Sequence, residues 1–120
     1  MPIQPKPDAI RGAGGGKIVL LTPDAKALFA WRKFVNRSGQ TGINCAVFRN
    51  EGTQRSSDLI RAAEAFAWQR WPGERLYTHV NPARLPVGKR PGYCFECADW
   101  SRCGLSKGGM VILEKLARLN

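Results

Sequence analysis

Apolar residues in this chain fall into short blocks separated by turn-forming residues, and the spacing inside each block sets its element. Residues 17–22, KIVLLT, are aliphatic and β-branched and are closed by Pro23-Asp24-Ala25, so they read as a strand ending in a turn. Residues 27–35, ALFAWRKFV, place Phe29, Trp31, Lys33 and Val35 on one face at period two, and NRSGQTG at 36–42 forms the next turn. INCAVFR at 43–49 predicts a third strand, and the short loops predict an antiparallel meander. A polar loop follows over 50–57, with Ser56 or Ser57 as the expected N-cap of a helix over 57–71. That helix carries Ile60, Ala63, Ala67 and Trp71 at helical spacing, with Leu59 and Phe66 widening the stripe, and Pro72-Gly73 stops it. RLYTHV at 75–80 alternates as a strand, 81–90 is a proline-rich basic loop, and 91–100 opens with a proline suited to a first helical turn. Two further strands, 101–105 and 109–116, are joined by a loop of hairpin chemistry. The order is β-β-β-α-β-α-β-β: an α+β domain with a mixed, mostly antiparallel sheet and two helices. Residues 1–16 hold three of the eight prolines and four of the thirteen glycines without a hydrophobic period, and read as an extended or mobile arm before a single domain at 17–120.

Composition narrows the class. A chain of 120 residues supports one core, and 43% apolar with 23% charged residues excludes wholesale disorder. No apolar run reaches the roughly 18–20 residues of a membrane span, and the first 17 residues lack an apolar signal region, so a cytoplasmic protein is expected. Lys and Arg number 19 against 9 Asp and Glu, a net charge of +10, which favours an anionic partner: DNA, RNA, a nucleotide-bearing cofactor or an acidic protein. The cations cluster. Lys26, Arg32, Lys33 and Arg37 lie in a stretch without an acid before Glu51, and Arg84, Lys89 and Arg90 form a second group. The competing reading of both is a solvated surface. Cys45, Cys94, Cys97 and Cys103 are read as reduced thiols holding no metal, because their spacing matches no common zinc finger or ribbon.

Three stretches carry a family resemblance. FRNEGTQRSSDLI at 48–60 leads from a strand through a polar loop into the main helix, LYTHVN at 76–81 is a strand ending in asparagine, and PGYCFECADW at 91–100 is a short helical segment ending in an aromatic residue. In this order they resemble the core of the GNAT-type N-acetyltransferases, over about residues 17–116. VFRNEG…SSDLI, VNP, PGYCF and KGG…LE look most like small phage and prophage proteins of that fold, including distant kin of the Mom-type DNA-modification enzymes. The resemblance implies a GNAT-like domain abbreviated at its N-terminus, using acetyl-CoA or another acyl-CoA. The cofactor would lie against Phe48, Arg49, Gly52, Gln54, Arg55, Ser56 and Ser57. The abbreviation implies either a minimal enzyme or a partner or second copy, such as a homodimer, that completes the acceptor side.

The loop has its own physics. Amides in a first helical turn lack carbonyl partners and sit at the positive end of the helix dipole, so they suit a pyrophosphate, and Arg49 and Arg55 add charge. Acyl transfer to an amine needs a base for the amine proton and an acid for the thiolate. His79 and Asn81 at the end of the strand, with Tyr93 and Cys94 beside Phe95, are the candidates. The sequence departs from the family at Phe95, where many members place a tyrosine acid, and at Asp99, where glycine is usual. No carboxylate occurs between Lys26 and Asn50 to act as base. Three readings follow: an N-acyltransferase of unknown acceptor, a DNA-modifying transferase, and a non-catalytic basic protein that engages nucleic acid or a host defence complex.

Overall fold

The computed structural model describes residues 3–5, 16–33, 41–84 and 91–117. Its strands are β1 (Gln4–Pro5), β2 (Lys17–Leu21), β3 (Ala27–Lys33), β4 (Ile43–Asn50), β5 (Leu76–Val80), β6 (Ser101–Leu105) and β7 (Val111–Lys115). Helix α1 (Ser56–Arg70) joins β4 to β5, and α2 (Tyr93–Cys97) precedes β6. The strands form one sheet in the order β1-β2-β3-β4-β5-β7-β6. All described neighbours are antiparallel except β4 and β5, as a helical crossover requires. The α+β class and the element order expected from periodicity are those observed. Within the stretch read as an arm, β1 pairs with the end of β2 and Ile3 is buried.

Both helices pack on one face of the sheet. Leu20, Phe29, Trp31, Ile43, Leu76 and Leu113 meet Leu59, Ile60, Ala63 and Ala67 of α1 there. Trp31 is fully buried, stacks on Trp100 at 6.3 Å and donates its indole N–H to Ala63 O at 2.9 Å, which fixes α1 across the sheet. Trp71 and Trp100 are buried and Trp68 is half-buried with its N–H on Glu74 O. The tryptophans are therefore packing residues rather than a stacking platform for bases.

Two local features decide the shape of the sheet centre. Trp31 pairs with Cys45 and Ala30 with Val47, so Ala46 is an extra residue, a bulge that bends β4 and increases its twist. At the other end of β4, Gly42 has φ +120° and Ile43 N–H donates to Arg75 O at 2.7 Å. A side chain at position 42 would collide with that carbonyl, so the close start of the parallel pair depends on glycine.

Candidate functional site

β4 and β5 pair only through Ile43, Asn44 and Cys45 against Leu76, Tyr77 and Thr78. Pairing stops where the bulge bends β4 away, and residues 46–50 and 79–80 run on without pairing to each other. The result is an opening at the carboxyl ends of two parallel strands, with the N-terminus of α1 at the same end. Open α/β sheets bind ligands at such places.

The loop from β4 to α1 is organised by Asn50. Its side-chain amide donates to Gln54 O at 2.8 Å and to Ser56 Oγ at 3.0 Å, and its Oδ1 accepts from Gly52 N–H at 3.0 Å. Gly52 therefore spends its amide inside the loop. Its Cβ position would touch Lys26 at an ordinary 3.4 Å, so close backbone approach is not what holds glycine there. The expected serine N-cap is corrected: Arg55 occupies the N-cap without a side-chain cap bond, and Asp58 and Leu59 donate to Arg55 O. The amides of Ser56 and Ser57 precede the first intrahelical bond, so the helix itself supplies them no carbonyl partner. Lys26, Arg49 and Arg55 are exposed around them. A hollow of about 90 Å³ lies between this loop and the β2–β3 turn, lined by Thr22, Asp24, Lys26, Gly52 and Gln54 among others. Phe48 turns the other way, against Phe29 and Phe95 at 5.2 and 6.0 Å, so it is a core residue.

The catalytic candidates separate. His79 lies one residue past the last β4–β5 pair, half-buried, with the Tyr77 ring edge-on at 5.8 Å. Burial, then the nearby Arg75 cation, holds its pKa below the ordinary imidazole value, so it is neutral at pH 7. Asn81 uses its Oδ1 to accept from Ala83 N–H at 3.0 Å and caps the 3-10 turn Pro82–Arg84. Tyr93 is 61% exposed, and its hydrogen bond to Cys97 raises its phenol pKa, which weakens it as an acid. The Cys94 thiol packs against the core and burial raises its pKa, and Cys45, fully enclosed, is pushed higher still. His79 is the one candidate base of the four in a usable state.

The basic clusters are rearranged. Lys26 sits at the loop end of the opening, whereas Arg32 and Lys33 lie at the far end of β3, about 20 Å away for seven extended residues. Lys33 there pairs with Glu74 at 3.3 Å. Arg84 ends the turn after β5, at the same end as Lys26, Arg49 and Arg55. Arg37, Lys89 and Arg90 lie outside the described residues. A separate groove of about 580 Å³ along the C-terminal half of α1 is lined by Arg61, Glu64, Trp68, Asp99 and Lys115 among others. Its charges are mutually satisfied: Lys115 meets Glu64 at 2.8 Å and Ala98 O at 2.8 Å, Trp100 N–H meets Glu64, and Arg61 meets Asp99. Among the described residues no group of three or more metal-ligating side chains converges, and no helix is long and apolar enough to cross a membrane.

Sequence reasoning missed Asn50, although an asparagine two residues before glycine at a strand end is an Asx-turn signal. It also missed Asn44, which pairs across the strands with Tyr77 at the base of the opening. Compared with known proteins, the chain gives no significant match to a family model, a curated protein or a solved structure.

Proposed function

We propose that this chain is an acyl-CoA-dependent N-acyltransferase of GNAT-like build, taking the cofactor into the opening between β4 and β5. The observation that carries this reading is the parallel pair that ends after three residues in front of the first turn of α1. The cofactor pyrophosphate lies against the Ser56 and Ser57 amides with Arg55 beside it, and the thioester reaches toward His79. The acceptor nitrogen attacks the thioester carbonyl, forming C–N and breaking C–S. Neutral His79 takes the amine proton and returns it to the departing thiolate, so one group serves as base and then acid. Calorimetry with acetyl-CoA tests the reading. Arg55→Glu is expected to weaken binding by about 1–3 kcal/mol, the range for a lost charge-assisted contact. An unchanged Kd removes the loop from the site.

A polyanionic acceptor is supported by the grouping of Lys26, Arg49 and Arg84 at the mouth of the opening. Replacing these three by alanine is expected to reduce the salt slope of DNA binding by about two to three units, at about 0.9 per phosphate contact. Lys33→Ala, at the far end, is expected to change it little. Mobility shifts across a salt series measure both, and no shift at low salt rejects nucleic acid. A second reading, a non-catalytic binding protein, is favoured by the solvent-facing Tyr93; bound acetyl-CoA that never releases thiol in the presence of any amine selects it.

A further inference from the structure

Among the described residues, two buried polar atoms have no hydrogen-bond partner: Asn44 Oδ1 and Tyr77 Oη. They belong to residues paired across β4 and β5, just before the strands part, and both lie on the sheet face away from the helices. Tyr77 is fully buried, so no solvent contact stands in for the partner that its hydroxyl lacks. Buried groups of this kind are rare in native structures, and two on residues paired across neighbouring strands point to a ligand that supplies the missing bonds.

Their surroundings define that ligand. Along β5, Arg75 lies over the Tyr77 ring at 5.1 Å and the His79 ring meets its edge. Across the sheet, Glu114 pairs in register with Tyr77, but its carboxylate is bound to Arg75 at 2.6 Å. Among the described residues this stretch of β4 and β5 therefore offers oxygen acceptors, an imidazole and a guanidinium, and no carboxylate left to balance an ammonium. Asp24 is tied to Thr22 and the Lys26 amide, Glu51 pairs with Arg49, and Asp58 lies in the first turn of α1, all at the loop end of the opening.

We propose that Asn44 and Tyr77 hold the nitrogen of the acceptor, entering on the face opposite the helices, and that this acceptor is an amine that arrives uncharged. The proposal rests on the acyltransferase reading above. Two N–H bonds are taken by Asn44 Oδ1 and Tyr77 Oη, which leaves the lone pair for the thioester carbonyl. As C–N forms and C–S breaks, the proton held at Tyr77 Oη is relayed through that hydroxyl to His79, whose ring meets the Tyr77 ring, and His79 returns it to the thiolate. An alkylammonium would bring an extra proton and a positive charge next to Arg75.

Thiol release from acetyl-CoA at neutral pH is measured with hydroxylamine, which is uncharged, and with methylamine, which is of similar size and charged. The expected result is acceleration by hydroxylamine alone. Tyr77→Phe and Asn44→Ala each reduce that rate about tenfold, the worth of one hydrogen bond, at unchanged acetyl-CoA affinity. Equal use of methylamine overturns the proposal. So do unchanged rates in both variants, accompanied by a higher Tm for Tyr77→Phe, as removal of a purely structural orphan hydroxyl gives. Failure of the unaltered protein to bind acetyl-CoA overturns the cofactor reading and this one together, whereas retained binding with unchanged variant rates overturns this one alone.

Discussion

Gly42→Ala is expected to destabilise the domain by about 3 kcal/mol or more, among the largest effects of any single methyl in this chain. Two costs add there. The φ of +120° is strained for any L side chain, and the new methyl meets the Arg75 carbonyl that anchors the parallel pair. Gly73→Ala separates the two costs, because Gly73 has φ +77° with nothing within 4 Å of its Cβ position. Only the conformational penalty remains, about 1–2 kcal/mol. Urea unfolding of both variants measures the difference. Equal midpoints would mean that the β4–β5 approach contributes nothing beyond backbone strain.

The second large effect concerns Glu64 and Lys115, whose side chains are 5% and 14% exposed and meet at 2.8 Å. Removing one partner leaves a charge in a poorly solvated place, so Glu64→Gln and Lys115→Met are each expected to cost about 3 kcal/mol. The double variant removes both charges while the amide oxygen introduced at position 64 still accepts from Trp100, and it is expected to regain most of that loss. Additive losses in a double-mutant cycle would show instead that the two groups stabilise the fold independently.

Element order was legible because it depends on local periodicity. The ALFAWRK and INCAVFR runs and the Ile60–Ala63–Ala67 stripe state their partners' faces without reference to distant residues. What escaped depends on placement across the chain. Glu64 and Lys115 are 51 residues apart, and nothing local marks either as a partner. The grouping of Lys26 with Lys33 assumed that neighbours in sequence are neighbours in space, and a seven-residue strand carries them to opposite ends. Tyr77 read as one position of an alternating strand, while its hydroxyl's isolation arises only from the strands packed around it. Of the candidate site, the loop's location was readable from the strand-to-helix change, but its internal wiring through Asn50 was not weighed.

The bulge at Ala46 carries one more consequence. Strict alternation from Ile43 would send Val47 inward and Phe48 outward. The extra residue reverses this, leaving Val47 45% exposed and Phe48 against Phe29. A chain lacking Ala46 would therefore keep Ile43, Cys45 and Phe48 pointing inward along a regular ladder, and would lose only the bend. The hydrophobic interior does not require that residue. Packing and aperture are thus written in separate letters of the same strand, so the gap beside β5 can be widened or shut by selection without renegotiating the interior.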